Sequence, residues 1–152
     1  MRILSINKMF TLYLSTTRNN ANSPRIVTER RSYFMKHQLL FVEDGIAIIR
    51  LKGELDHHAT QLIRDEISQS LYRGTLRAII WNLQDLQFMD SAGIGLILGR
   101  MRDFVPTNGQ TVILHPSETM KKIFQYSGLG SYVWPTTEEE TIAELGGILN
   151  GQ

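Results

Sequence analysis

Ser91 follows Asp90 and precedes Ala92, Gly93 and Gly95 in the stretch Phe88-Met89-Asp90-Ser91-Ala92-Gly93-Ile94-Gly95-Leu96-Ile97-Leu98-Gly99-Arg100. A hydroxyl followed by such small residues is open to another molecule. Ile94, Ile97, Leu98 and Met101 fall at i, i+3, i+4 and i+7, the spacing of one helix face. Ser91 therefore stands at a helix entrance, where unpaired backbone N–H groups and the helix dipole favour added negative charge. The chemistry this suits is phosphorylation. The plain alternative is a Ser or Asp helix cap, a common arrangement. Glycines in the first turns weigh against a cap alone, because each costs a helix about 1 kcal/mol. Close approach of a packed neighbour or of a partner protein would offset that cost.

Other chemistries fit less well. A serine nucleophile on a strand-to-helix elbow needs Gly-x-Ser-x-Gly, whereas this chain has Met89-Asp90-Ser91-Ala92-Gly93, and no histidine is evidently placed as its base. His57 and His58 are adjacent, so on a helix they point about 100° apart and cannot easily share one ion. No His-Glu-x-x-His spacing accompanies them or His115, so these read as solvated or capping residues. Gly128-Leu129-Gly130 lacks the Gly-Lys-Ser/Thr ending of a phosphate loop and reads as helix punctuation. Glu138-Glu139-Glu140 reads as a solvated helix start and Lys121-Lys122 as a wet face. No metal, no cofactor and no enzymatic activity are expected.

The elements that position Ser91 are legible around it. Arg77–Leu83 is a nearly continuous apolar run, the mark of a central strand covered on both faces. Before it, Gln38–Glu43 and Ile46–Lys52 flank Asp44-Gly45, a strong hairpin signal, and Gly53 breaks the run. Asp56 suits the N-cap of a helix from about His57 to Tyr72, with Leu62, Ile63, Ile67 and Leu71 on one stripe and Gly74 at its end. After Ser91's helix, Asn108-Gly109 marks a turn and Thr111–Leu114 a strand. Ser117 caps a helix with Met120, Ile123 and Phe124, which Gly128 ends. Tyr132–Trp134 is a short last strand, and Thr137 opens a final helix with acids in its first turn. The order predicts an α/β fold: a single domain with a mainly parallel mixed sheet of about five strands and about four helices.

At 152 residues the chain has room for one domain with a real core. Its charge is uneven. Residues 1–34 hold six basic residues and one acid, net +5, whereas residues 35–152 hold ten basic and fourteen acidic ones, net −4. Basic residues are not clustered on the folded part, so no nucleic-acid partner is expected. No apolar run approaches the ~18 residues of a membrane span. Met1–Leu14 makes a poor secretory signal. Residues 15–34, rich in Ser, Thr, Asn and Arg, read as disordered. The expected domain covers residues 36–149, and residues 1–34 are expected to be a disordered basic extension, either dispensable or the product of a wrongly assigned start. There is no cysteine, which fits a cytoplasmic protein.

Taken together, Gly53-Glu54-Leu55-Asp56-His57-His58, Ile80-Trp81-Asn82-Leu83, the Ser91 stretch and Phe124-Gln125-Tyr126-Ser127-Gly128-Leu129 resemble the anti-sigma factor antagonists of the STAS family. The likeness covers roughly residues 36–149 in consistent order. It implies a STAS fold and a protein-binding switch rather than an enzyme. Such a protein, unphosphorylated, binds an anti-sigma factor that is also a serine kinase, and so releases a sporulation sigma factor. The kinase then phosphorylates the serine after the motif Asp, here Ser91, and a PP2C-type phosphatase reverses the reaction. The resemblance places Asp56 near Ser91 and puts Glu54, Asp56, His57, Met89, Asp90, Ala92, Gly93, Ile94 and Gly95 at the partner surface. Sporulation members carry a second serine where this chain has Ala92, which leaves Ser91 as the one hydroxyl of the motif. Related members serve general-stress sigma factors, and other STAS domains sense ligands; both remain alternative readings of the same residues.

Overall fold

A computed structural model of the chain describes residues 25–31, 35–42, 45–71 and 76–151. Its strands are β1 (Arg25–Arg31), β2 (Met35–Val42), β3 (Ile46–Leu55), β4 (Ala78–Met89), β5 (Gln110–Leu114) and β6 (Val133–Trp134). Its helices are α1 (His57–Leu71), α2 (Ser91–Phe104), α3 (Glu118–Ser127) and α4 (Glu138–Asn150). The strands form one sheet in chain order. β1–β2 and β2–β3 are antiparallel, and the three remaining ladders are parallel. The sheet is thus mixed, with all of the expected strands present and β1 added.

Chain order fixes the layering. When each parallel strand is laid beside its predecessor in the same direction, right-handed crossovers drop every connecting helix on one face. Accordingly Ile63 and Ile67 of α1, Ile97 and Phe104 of α2, and Met120 and Phe124 of α3 share one apolar core with Ile79 and Trp81 of β4. The alternate strand residues Ala78 and Ile80 face the other way, where Leu145 and Leu149 of α4 cover them. Burial on both faces is why the β4 sequence opens as an unbroken apolar run.

Three boundaries differ from the sequence reading. Gly53 does not break its strand: at φ +95° it takes a backbone that L side chains avoid, and β3 continues through it to Leu55 with one register shift between Arg50 and Lys52 and a second after Gly53. The expected turn after Leu83 is strand as well, because Gln84–Met89 pairs with the end of β3, Lys52 against Asp85 and Leu55 against Met89. The expected disorder over residues 15–34 does not hold at Arg25–Arg31, whose backbone pairs with β2 from Phe41 to Lys36. The rest of that extension lies outside the described residues, as do Asp44 of the hairpin and Tyr72 and Gly74 after α1. Gly45, at φ +75°, supplies the left-handed position of the hairpin.

α4 is docked by charge as well as by leucines. Arg50 of β3 grips Glu138 with two hydrogen bonds, Nε to Oε1 at 2.8 Å and Nη2 to Oε2 at 2.5 Å, and Asn82 Nδ2 donates to Oε1 at 2.7 Å. Glu138 is therefore not the solvated residue its triplet suggests. Its side chain is only 13% exposed. Burial pushes its carboxyl up, but the hydrogen bonds from Arg50 and Asn82 and the Arg50 charge outweigh this and hold it below the ordinary carboxylate value. At the other end of α4, Arg77 donates to the Leu149 carbonyl.

Candidate functional site

β3 and β4 are parallel neighbours, and their last residues, Leu55 and Met89, lie in register. Each is followed by an aspartate and then a helix. Asp56 accepts from the Ala59 amide on Oδ1 at 2.8 Å, capping α1. Asp90, in extended backbone, accepts from the amides of Ala92 at 2.9 Å and Gly93 at 3.3 Å, capping α2. The Asp90 amide in turn donates to the Leu55 carbonyl at 3.3 Å, stitching the second cap to the end of the first strand. Adjacent strands lie about 4.8 Å apart, so two helix N-termini open side by side at one edge of the sheet. That edge concentrates free N–H groups and the positive ends of two dipoles.

Ser91 is the first residue of α2 and is exposed. Its hydroxyl makes no hydrogen bond among the described residues. This separates two roles the sequence leaves together. Asp90 does the capping, and Ser91 is left with an unengaged hydroxyl beside the helix's own amides.

The motif glycines also divide. A Cβ at Gly93 would lie 2.5 Å from Met89 Cγ and 2.9 Å from Leu55 Cδ2, so this glycine exists to let α2 sit on the strand ends. At Gly95 a Cβ would meet nothing within 4 Å, and the residue is exposed. At Gly99, one turn further on and half-buried, a Cβ would likewise meet nothing within 4 Å. Internal packing explains the first glycine and not the other two.

The predicted partner surface is brought together only in part. Glu54, Asp56, His57 and Gly95 are exposed, and Asp90, Ala92 and Ile94 are half-buried. Met89 and Gly93 are buried: Met89 is the inward residue closing β4, and Gly93 packs on it. Leu98, expected on the buried stripe of α2, is 39% exposed. Sequence reasoning missed Phe88, which is 48% exposed. Regular alternation would put Phe88 on the buried side with Leu86; the register shift between Gly53 and Glu54, which leaves Gln87 as an extra residue between the pairs Gly53–Leu86 and Glu54–Phe88, turns Phe88 outward, and no local pattern signals it.

His57 and His58 are both exposed, and His57 Nε2 lies 3.1 Å from Gln61 Nε2. His115 instead lines a cleft of about 500 Å³ with Arg50, Asn82 and Glu138. Among the described residues no group of three or more His, Asp or Glu could hold a metal ion, and no helix is long and apolar enough to cross a membrane. α1 and α2 are braced against each other by Arg100, whose Nη1 donates to Ser68 Oγ at 2.9 Å while Nη2 reaches Asp103 at 3.2 Å.

A family model described as the STAS domain matches residues 40–144. An anti-sigma F factor antagonist of Lysinibacillus sphaericus is 51% identical over 117 residues, which are 77% of this chain and all of that protein. The solved structure of the anti-sigma factor antagonist SpoIIAA in its unphosphorylated form superposes with a TM-score of 0.69 at 49% identity, covering 73% of this chain and 96% of the other. The Bacillus cell fate determinant SpoIIAA in its phosphorylated form superposes with a TM-score of 0.64 at 50% identity, over 72% and 98%.

Proposed function

The chain belongs to the STAS family, and from that premise we propose that it is an anti-sigma factor antagonist switched by phosphorylation of Ser91. Unphosphorylated, it binds an anti-sigma factor that is also a serine kinase and displaces the sporulation sigma factor held there. Phosphorylation of Ser91 by that kinase ends the interaction, and a PP2C-type phosphatase restores it. The protein is a binding switch, not an enzyme, and acts in the cytoplasm.

The observation that carries this reading is the division of labour at the α2 entrance. Asp90 holds the cap, so Ser91 can be modified without dismantling the helix. A phosphate adds about −1.5 to −2 charges and three acceptor oxygens. Within its own fold that charge is supported by the amides and dipole of α2. Across an interface it meets bulk, desolvation and repulsion from the Asp56 and Asp90 carboxylates beside it. A penalty of ~3 kcal/mol would weaken a complex by more than a hundredfold. The small, open Gly95 fits a partner that approaches the helix backbone closely.

The experiment is incubation of the full chain with its anti-sigma factor kinase and ATP, followed by intact mass and site mapping. One phosphate is expected, on Ser91. A phosphate elsewhere, or a complex that survives modification, would falsify the switch.

A further inference from the structure

We propose that Phe88 is the apolar anchor of the docking surface and that the partner presents a hydrophobic socket rimmed by basic side chains. This rests on the reading above, for it names what the partner of the Ser91 site must offer. A single exposed apolar residue is ordinary on a protein surface. Phe88 is distinguished by where it stands and by what surrounds it.

Phe88 contributes to neither apolar core, since Leu86 and Met89 supply the inward side of the end of β4. It is held out on paired backbone, opposite Glu54 of β3 and three residues before Ser91. An aromatic ring on a rigid strand loses little freedom when it is seated, and aromatic residues are the commonest anchors of protein interfaces. The charged groups at these strand ends are mostly carboxylates. Glu54, Asp56 and Asp85 are exposed there, with Asp90 half-buried. Lys52, in register with Asp85, is the one lysine of the paired ends of β3 and β4, and His57 and His58 begin the helix beyond. An aromatic side chain amid carboxylates complements an apolar pocket bordered by lysines or arginines. Ser91 then carries the switch, and Phe88 carries recruitment.

The test compares Phe88→Ala, Phe88→Leu, Glu54→Gln and Ser91→Ala in the full chain. For each, the Kd for the purified anti-sigma factor kinase and Tm are measured, and for the variants that keep Ser91 the kcat and KM of phosphorylation with ATP; Ser91→Ala serves as the control that binds without being modified. Phe88→Ala is expected to raise Kd and KM about 30-fold with kcat and Tm little changed, a loss typical of an interface anchor. Phe88→Leu should recover part of it, and Glu54→Gln should flatten the salt dependence of Kd. Kd and KM for Phe88→Ala within about twofold of wild type would overturn the anchor, as would a fall in Tm matching the loss of binding. If the wild-type chain binds the kinase but Ser91 stays unmodified, the switch fails while the Kd comparison still decides Phe88. If the wild-type chain forms no complex at all, both fail.

Discussion

Asp56 and Asp90 stand one residue beyond the paired ends of two parallel strands, and each caps the helix that follows it. One aspartate therefore neighbours Ser91 in sequence and the other stands across the sheet edge, so charge can be changed at either while the effect on the fold is followed separately.

Asp56→Asn is the clean way to remove that charge. Asn caps a helix about as well as Asp, so Tm should shift by less than about 1 kcal/mol of equivalent stability. Phosphorylation of Ser91 or binding of the kinase should nevertheless be impaired. Wild-type values in both assays would remove Asp56 from the site.

Asp90→Ala should behave differently, because alanine cannot accept from the Ala92 and Gly93 amides. A loss of about 1 kcal/mol, the usual worth of a cap, is expected in urea unfolding, with the start of α2 weakened. No loss would mean that the Asp90 bonds to the helix amides contribute nothing.

At Ser91 itself, Ser91→Ala should keep its fold and bind the kinase but accept no phosphate, whereas Ser91→Asp should bind poorly. Mass spectrometry and calorimetry with the kinase decide both. Phosphate still taken up by Ser91→Ala would assign the modification to another hydroxyl.

The glycines give opposite signs. Gly93→Ala drives a Cβ into Met89 and Leu55 and should cost about 1–3 kcal/mol. Gly95→Ala meets nothing and replaces a poor helix former, so stability should rise by about 0.5–1 kcal/mol while kinase binding weakens. A Gly95→Ala protein that binds normally would mean the partner does not approach α2 there.

Acid stability should register Glu138. Its folded-state carboxyl is held below the ordinary 4.5, so its contribution is present above that value and is lost as pH falls through the lower folded value. Glu138→Gln should cost about 1–3 kcal/mol at neutral pH, since it strands half-buried Arg50. It should also flatten the decline in stability below about pH 4.5. An unchanged acid profile would show that the pair with Arg50 does not couple α4 to protonation.

Local signals revealed most of the fold. The apolar run from Ala78, the helical spacing after Ser91 and the caps at Asp56, Ser117 and Thr137 each depend on a few neighbouring residues, and each stands where the chain suggests. What local pattern could not reveal were contacts made across the chain. Gln84–Met89 is polar enough to pass for a turn and becomes strand only because Lys52–Leu55 lies beside it. Glu138 resembles its solvated neighbours until Arg50, 88 residues away, is brought against it. The helix entrance at Ser91 was legible, but whether Ser91 or Asp90 caps α2 is a question of geometry that two adjacent capping residues leave open.

The seven residues Arg25–Arg31 change what the sheet offers to its surroundings. Without them the outer rim would be β2, an eight-residue strand whose outward-facing amides and carbonyls would be unpaired and able to template another chain. With them the rim moves outward to a strand whose sequence includes three arginines and whose ladder is interrupted between Ile26 and Thr28. An interrupted ladder discourages stacking of one molecule on the next. The opposite rim, β6, is only two residues long. Among the described residues, both flanks of the sheet are thus poor seeds for fibrils, so growth from one molecule to the next finds little backbone to build on.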